Sequence, residues 1–454
     1  MYRRILIANR GEIAVRVIRA CRELGIATVA GYSEADEDAL HVRMADEAVA
    51  IGPPPATQSY LNVAKIIEVA AHAGVDAIHP GYGFLSENPY FAAMCKSWGI
   101  DFIGPEADSI ERMGVKTAAR ARMQEAGVPV VPGTPGTVSG EQEALKAAAE
   151  IGYPVLVKAA AGGGGRGIRT ARNEEELLQA VTGAGREAGS SFGNEDLYLE
   201  KLLVDPRHVE LQVLADRHGH VVHVLERDSS IQRRRQKILE EAPSPALDPA
   251  TRERMGAAAV AAASAVDYVG AGTIEFLLDR DGRFYFIEMN TRIQVEHPTT
   301  EMITGIDLVR EQILVCGGEP MSFRQEDVHP RGWAIECRIN AEDPDNRFLP
   351  SPGLITVWEP PCGPWVRIDE GVRAGQRVQP FYDSLLAKLI CWGADRPQAV
   401  ARMRRALDEF VVEGVKTTLP LHRRILADAE FQAGDYHTGW LEGTFLSRAA
   451  AQPG

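Results

Sequence analysis

The stretch 272–296, GTIEFLLDRDGRFYFIEMNTRIQVE, constrains the fold of this chain more than any other. Two apolar-rich runs flank Asp281-Gly282, a pair that favours a two-residue hairpin turn because both positions accept positive φ. A turn there sets Arg280 opposite Arg283 and, counting outward, Glu275 opposite Glu288. Directly opposed Cβ atoms of an antiparallel pair lie about 4.5–5.5 Å apart. Two carboxylates at that spacing, set among Ile274, Phe276, Phe286 and Ile287, repel each other and are costly to bury. A divalent cation removes the cost. Side chains alternate along a strand, so Asn290 and Arg292 continue the face of Glu288. That face offers carboxylates and an amide for Mg²⁺, a hard ion that prefers oxygen, and then a guanidinium for an anion. A solvated hairpin edge carries scattered charges. Four polar groups on one face of an otherwise apolar hairpin, followed by Gln294 and Glu296, point instead to a site.

The rest of the chain suits a sizeable enzyme. Its 454 residues exceed one ordinary core and imply two to four domains. With 45% hydrophobic and 25% charged residues it has the composition of a globular protein in water, and a net charge of −14 argues against generic nucleic-acid binding. The six cysteines are dispersed, without a CxxC pair or Cys/His metal spacing, which predicts reduced thiols packed as small apolar groups. No apolar run reaches the ~20 residues of a membrane span, and the N-terminal run is too short for a secretory signal. The Ala-rich stretch 256–266 reads as a buried helix. Cytoplasmic localisation follows as the expectation, with no nucleic-acid or membrane partner.

Three regions separate along the chain. In the first, to about residue 113, strand-like runs at 5–8, 28–31 and 77–79 alternate with helical patterns such as 13–24. This predicts a doubly wound parallel sheet. Its first turn, Asn9-Arg10-Gly11-Glu12, lacks the GxGxxG dinucleotide fingerprint. The second region, 114–330, holds a glycine-rich run at 161–167 and the hairpin. The third, 331–446, carries strand-like runs at 333–339 and 385–391 and a helical pattern at 396–409, a mixed α+β composition. The glycine-rich run follows a strand-like Pro154-Val155-Leu156-Val157-Lys158. Consecutive glycines let backbone N–H groups approach an anion, and Lys158 adds a fixed ammonium beside them. That pairing suits phosphates, although no Gly-Lys-Ser/Thr of a Walker A loop follows.

Long motifs now coincide: Gly162 to Gly167; Glu226-Arg227-Asp228 through Ser230-Ile231-Gln232-Arg233-Arg234-Arg235-Gln236-Lys237; and Phe286-Ile287-Glu288-Met289-Asn290-Thr291-Arg292-Ile293-Gln294-Val295-Glu296-His297-Pro298. With Ile7-Ala8-Asn9-Arg10-Gly11-Glu12, His79-Pro80-Gly81-Tyr82-Gly83 and Glu336-Cys337-Arg338-Ile339-Asn340, they resemble the biotin carboxylases of the ATP-grasp superfamily along essentially the whole chain. The resemblance implies three parts: an N-terminal biotin carboxylase domain at 1–113, an ATP-grasp domain at 114–330 with a mobile lid at 131–203, and a C-terminal domain at 331–446. It implies ATP-dependent carboxylation of biotin by bicarbonate through carboxyphosphate, with Mg²⁺ or Mn²⁺. Glu275, Glu288 and Asn290 would hold the metal. Lys116, Lys158, Gly163, Gly164, Gly165, Glu200, Lys201, Leu203, His208, Gln232, Arg235, Leu277 and His437 would surround the nucleotide. Lys237, Arg292, Gln294 and Val295 would clamp bicarbonate, Glu296 would deprotonate it, and Arg338 with Tyr82 would face biotin. Independently of the resemblance, Glu200-Lys201-x-Leu203 suits an adenine site, with hinge backbone reading the purine edge while Leu203 packs its face.

Two positions depart from the family pattern. Arg235 stands where many relatives have His, and Ser229 where several have Cys. The sequence contains no Met-Lys-Met biotinylation site and no carboxyltransferase region, so biotin is expected on a separate carrier protein, with separate carboxyltransferase subunits. A homodimeric subunit of acetyl-CoA carboxylase, serving fatty-acid synthesis, is the first expectation. The same half-reaction in a propionyl-CoA, methylcrotonyl-CoA or two-chain pyruvate carboxylase is the alternative. An ATP-grasp ligase with another acceptor explains the nucleotide residues but not Arg292, Glu296 and Arg338 together, and a non-catalytic scaffold has no use for any of them.

Overall fold

The computed structural model describes residues 1–138, 140–159, 168–192 and 196–451. Gly163, Gly164 and Gly165 lie outside the described residues, as does the side chain of Lys116.

Ile5, Leu6 and Ile7 of β1 (Arg4–Ile7) are all buried, as a strand covered on both faces of a parallel sheet must be. β1 lies centrally among β2 (Ala27–Ser33), β3 (Glu47–Gly52), β4 (Ala77–His79) and β5 (Asp101–Phe102), all parallel, in the order β3-β2-β1-β4-β5. This is the expected doubly wound sheet. Its winding reverses between β1 and β4, and such sheets open their crevices at the carboxyl ends of those strands. There Asn9 Nδ2 donates to Pro80 O (2.6 Å) and Tyr82 O (2.7 Å). Gly81 has φ +60°, and a Cβ on it would come within 2.9 Å of Asn9 Nδ2, so glycine alone fits without displacement. The turn thereby brings Tyr82 to Glu12, at the start of helix α1 (Gly11–Glu23).

The 131–203 segment builds its own three-stranded sheet from β6 (Val155–Ala159), β7 (Ile168–Ala171) and β8 (Leu197–Lys201), ordered β7-β6-β8. Helices Glu141–Ile151 and Glu174–Phe192 close a small core over Val155, Val157 and Leu199.

An eight-stranded antiparallel sheet forms the remaining frame. It runs β13 (Phe284–Asn290), β12 (Gly270–Leu278), β9 (Arg207–Ala215), β10 (Val221–Arg233), β11 (Gln236–Ala242) and β14 (Trp333–Asn340), then Leu385–Gly393 and Val366–Glu370. β11 pairs with β14, so the third region extends the central sheet rather than standing beside it as a separate module. Helix Pro249–Ser264 packs with Met255, Ala259, Ala262 and Ala263 inward, but Glu253, Arg254 and Ala257 are exposed. The Ala-rich stretch is therefore covered on one face, not all round. Five cysteines are buried, Cys362 is exposed, and all six are free thiols. Among the described residues no helix is long and apolar enough to cross a membrane.

The hairpin differs from its expected turn. Asp279 N–H donates to Arg283 O (2.8 Å) and Gly282 N–H to Asp279 O (3.2 Å), while Gly282 has φ +74°. The loop is thus a three-residue turn closed by a left-handed glycine. Arg280 does not face Arg283; it pairs with Asp205, and Arg283 pairs with Asp279. The resulting one-residue offset, Phe276 opposite Phe286, is reversed by a bulge before Glu275. Glu275 consequently faces Glu288, and Thr273 faces Asn290.

Candidate active site

The eight-stranded and three-stranded sheets, with Tyr82 from the first region, border a cleft of about 1500 Å³. β12 and β13 form one wall, the end of β8 the hinge side, the tip between β10 and β11 the roof, and β14 the far wall. Its lining includes Tyr82, Lys158, Glu200, Lys201, Leu203, His208, Gln232, Arg235, Lys237, Glu275, Leu277, Glu288, Asn290, Arg292, Gln294, Val295, Glu296 and Arg338. His437 is set back from this wall, 3.4 Å from Asp205, while its neighbours Thr438 and Gly439 line it.

Charge at the centre is organised around Lys237. Its Nζ donates to Glu210 and lies 2.9 Å from Glu275 Oε1 and 2.6 Å from Glu296 Oε1. Burial alone lowers an ammonium pKa, but three carboxylates outweigh it and raise that of Lys237. Glu296 is held from its other side by Arg338, whose Nη2 donates to Oε2 at 2.9 Å. Burial would push the Glu296 carboxyl up; Lys237 and Arg338 instead hold it well below the usual range. Its position helps, because Glu296 is the N-cap of helix His297–Thr304, where the helix dipole favours an anion. Burial likewise opposes ionisation of Glu275, which Lys237 and His208 keep well below the usual range. Glu275 Oε1 also accepts from Asn290 Nδ2 and Gln294 Nε2, both at 2.9 Å, and Asn290 Oδ1 accepts from Arg292 Nη2 at 2.9 Å. The one-face series expected from alternation is therefore a connected hydrogen-bond chain.

The hinge end is cationic beside one carboxylate. Glu200 accepts from Lys158 Nζ and from Arg120 Nη1 (2.9 Å). Lys201 turns its ammonium to Gly152 O and Tyr153 O, and its N–H is spent on Pro132 O, as the Leu202 N–H is on Pro154 O. Those two hinge N–H groups are thus already used within the protein, and a purine edge would be read by the remaining hinge backbone groups. At the roof, Gln232 pairs with Lys237 and Arg233 with Gln236, leaving Arg234 (φ +48°) and Arg235 (φ +65°) as the turn. Two consecutive left-handed arginines cost about 1–2 kcal/mol each. Glu442 Oε2 accepts the Arg234 N–H at 2.9 Å, and backbone strain of this kind concentrates at functional sites.

Several groups that carry the site were given no role from sequence. Arg227 is fully buried and makes five hydrogen bonds, to Glu210, Gln212, Thr300, Thr273 and Gln294. Arg338 Nε donates to Glu240 Oε1 at 2.6 Å. Glu240 faces Glu336 across β11 and β14, both fully buried. Burial pushes the Glu240 carboxyl up to about 7 against the pull of Arg338, and it pushes Glu336 well above the usual range. Among the described residues neither Glu336 oxygen has a hydrogen-bond partner, which suits a neutral carboxylic acid. The signal that could have found these residues is a polar stripe of period two inside apolar strands: His208, Glu210 and Gln212 in β9, and Glu336, Arg338 and Asn340 in β14.

The oxygen-only set of Glu275, Glu288 and Asn290 fits a hard divalent ion, since two facing carboxylates carry the charge it would neutralise. His208, Glu210 and Glu275 also bring ligand atoms within 4.8 Å of one another. Lys237 lies against both of those carboxylates, so that group is an ion-pair network.

Comparison with known proteins agrees with this architecture. Family models match in chain order: "Biotin carboxylase, N-terminal domain" at residues 1–110, "Carbamoyl-phosphate synthase L chain, ATP binding domain" at 115–324, and "Biotin carboxylase C-terminal domain" at 336–443. The chain is 58% identical to biotin carboxylase 1 of Bacillus subtilis over 97% of its own length and 98% of that protein. It is 54% identical to a pyruvate carboxylase subunit of Methanothermobacter thermautotrophicus over 97% of itself and 90% of that protein. Among solved structures, the biotin carboxylase–β-γ-ATP complex from Campylobacter jejuni superposes with a TM-score of 0.93 at 48% identity, covering 97% of this chain and 98% of that one. The MgADP and bicarbonate complex of the biotin carboxylase domain dimer of Hydrogenobacter thermophilus 2-oxoglutarate carboxylase gives 0.91 at 52% identity, with 97% of each chain covered. Matched from end to end by the family's own domains and by relatives of this identity, the chain belongs to the biotin carboxylase family.

Proposed function

We propose that the chain uses ATP and bicarbonate to carboxylate biotin borne on a separate carrier protein, with the site roles expected from sequence. The observation that carries the reading is Glu296 held between two cations, Lys237 on Oε1 and Arg338 on Oε2. Lys237, Arg292, Gln294 and the Val295 backbone bind bicarbonate, and Arg338 with Tyr82 faces biotin. Lys158, Glu200, Lys201, Leu203, His208, Gln232, Arg235 and Leu277 surround the nucleotide, together with Lys116, Gly163–Gly165 and His437. Glu275, Glu288 and Asn290 hold Mg²⁺ or Mn²⁺, which when bound offsets phosphate charge during phosphoryl transfer.

A carboxylate flanked by two cations is a weak base. Lys237 and Arg338 are the groups that the incoming anions compete for. When bicarbonate engages Lys237, Glu296 loses part of its compensation and its proton affinity rises as its substrate arrives. Glu296 then takes the bicarbonate proton, and the anion attacks the γ-phosphate to form carboxyphosphate as the bond to the β-phosphate breaks and ADP leaves. Carboxyphosphate then breaks its C–O bond, the departing phosphate takes the N1′ proton and N1′ bonds the freed carboxyl carbon, while Arg338 offsets the charge that develops on the ureido oxygen. Glu240, which holds Arg338 Nε, keeps that guanidinium in place.

Membership of acetyl-CoA carboxylase, with the chain working as a homodimer, is the assembly we favour for this activity. The nearly equal identities to the Methanothermobacter pyruvate carboxylase protein and to the 2-oxoglutarate carboxylase domain favour the same half-reaction serving a keto acid as the second reading. The carrier and carboxyltransferase that co-purify with the chain decide between them. The half-reaction itself is tested by bicarbonate-dependent ADP release and its response to free biotin, in the wild type and in Glu288→Lys. The variant should lose at least a hundredfold in kcat, since a fixed ammonium opposite Glu275 replaces one of the two carboxylates of the metal set. An active Glu288→Lys, or a wild type indifferent to biotin, contradicts the reading.

A further inference from the structure

We propose that Lys388 is a positioning residue that fixes both walls of the acceptor end of the cleft, the Tyr82 side chain and the backbone at Val295, through one buried ammonium. Lys388 lies in strand Leu385–Gly393 and is fully buried. Its Nζ donates to Val295 O at 2.9 Å and stands 3.0 Å from Glu12 Oε2; Asp369 Oδ2 lies farther off, at 3.9 Å. The other oxygen of Glu12 accepts from Tyr82 OH. Lys388 comes from the third region, Val295 from the second, and Glu12 and Tyr82 from the first. One cation thus ties together three stretches of chain that are remote in sequence.

Two features separate this arrangement from an ordinary buried ion pair. The carbonyl that Lys388 holds belongs to the residue between Gln294 and Glu296, whose side chains both reach the cleft, so a shift of Val295 O moves them together. Glu12 has one oxygen committed to Tyr82 and the other facing Lys388. Removing the ammonium leaves a buried carboxylate whose remaining hydrogen bond among the described residues is from the Tyr82 hydroxyl, and the tyrosine must follow any move the carboxylate makes. Lys158, Glu200 and Arg120 at the hinge end make no contact with Lys388 among the described hydrogen bonds and ion pairs. The consequence is selective. Loss of Lys388 impairs the end of the cleft that takes bicarbonate and biotin and spares the end that takes the nucleotide.

The inference rests on the reading that Tyr82 and Val295 face the acceptor and bicarbonate, and the test separates the two. Steady-state kinetics with free biotin, bicarbonate and MgATP are measured for the wild type, Lys388→Met, Glu12→Gln, Tyr82→Phe and the Lys388→Met/Tyr82→Phe pair. Lys388→Met should raise KM for biotin at least tenfold and KM for bicarbonate severalfold, with KM for ATP changed less than twofold. Glu12→Gln, which leaves the Val295 contact in place, should raise KM for biotin alone. The double variant should be no worse than Lys388→Met by more than twofold, because both substitutions break the same chain of contacts. If Lys388→Met does not fold, Glu12→Gln and Tyr82→Phe carry the test by raising KM for biotin to a similar extent. Equal rises in all three KM values, an unchanged KM for biotin, or strictly additive effects overturn the role of Lys388. A wild type whose ADP release ignores biotin overturns the functional reading instead.

Discussion

Replacing Arg227 by Lys tests whether the site is held in shape from behind. The guanidinium satisfies five acceptors from zero exposure: Glu210 at 2.6 Å, Gln212 at 2.8, Thr300 at 3.0, Gln294 at 3.1 and Thr273 at 3.2. An ammonium keeps the charge beside Glu210 but has only three donors, clustered at one point. At least two buried acceptors therefore lose their partner. An unsatisfied buried polar group costs about 1–3 kcal/mol, so Arg227→Lys should lower stability by about 2–6 kcal/mol. Gln294 is one of those acceptors and also donates to Glu275. Freed from Arg227, it should bind bicarbonate less well, raising KM for bicarbonate about tenfold while KM for ATP stays within twofold. Denaturant unfolding followed by tryptophan fluorescence reads the first effect, and ADP release at varied bicarbonate reads the second. A stability change below ~0.5 kcal/mol, the scatter of ordinary surface substitutions, together with an unchanged bicarbonate KM would refute the reasoning.

Arg235→His should leave ATP cleavage within a hundredfold of wild type, because Arg235 is an exposed residue at the hairpin tip and His tolerates the left-handed backbone found there. A larger fall in kcat would show that the guanidinium does specific work. Glu336→Gln should stabilise the protein in a pH-dependent way. Burial raises this carboxyl well above the usual range, so the folded chain retains a proton that the unfolded chain releases above pH ~4.5, and stability is lost as pH rises through that window. The gain should therefore be present at pH 7 and near zero at pH 4. Equal effects at both values, or destabilisation at pH 7, would show that Glu336 is ionised.

Sequence pattern went furthest where periodicity and turn chemistry act locally. The parallel sheet, the strand before the glycine-rich run and the facing of Glu275 with Glu288 all follow from short-range rules. That last pairing holds for a reason the sequence hides: the hairpin loop is one residue longer than Asp281-Gly282 suggests, and a bulge before Glu275 restores the register. The bulge falls in edge strand β13, where the Phe286 N–H donates to Pro129 O at 2.7 Å, a contact remote in sequence that leaves no simple local mark. Long-range organisation was less legible. Nothing in the stretch around residue 330 announces that β14 will pair with β11, yet that pairing places Arg338 beside Glu240 and Glu296. Arg227, Glu210 and Lys388 were hidden for a related reason. A charged residue in a strand reads as an exposed position until the strand is known to be central.

The most direct test of the central claim follows an oxygen atom. If Glu296 activates bicarbonate for attack on the γ-phosphate, one bicarbonate oxygen must leave with phosphorus when the intermediate transfers its carboxyl group. Reaction of fresh [¹⁸O]bicarbonate with MgATP and free biotin should give inorganic phosphate carrying one ¹⁸O for each biotin carboxylated. Unlabelled phosphate formed at the same rate as carboxybiotin would contradict the account.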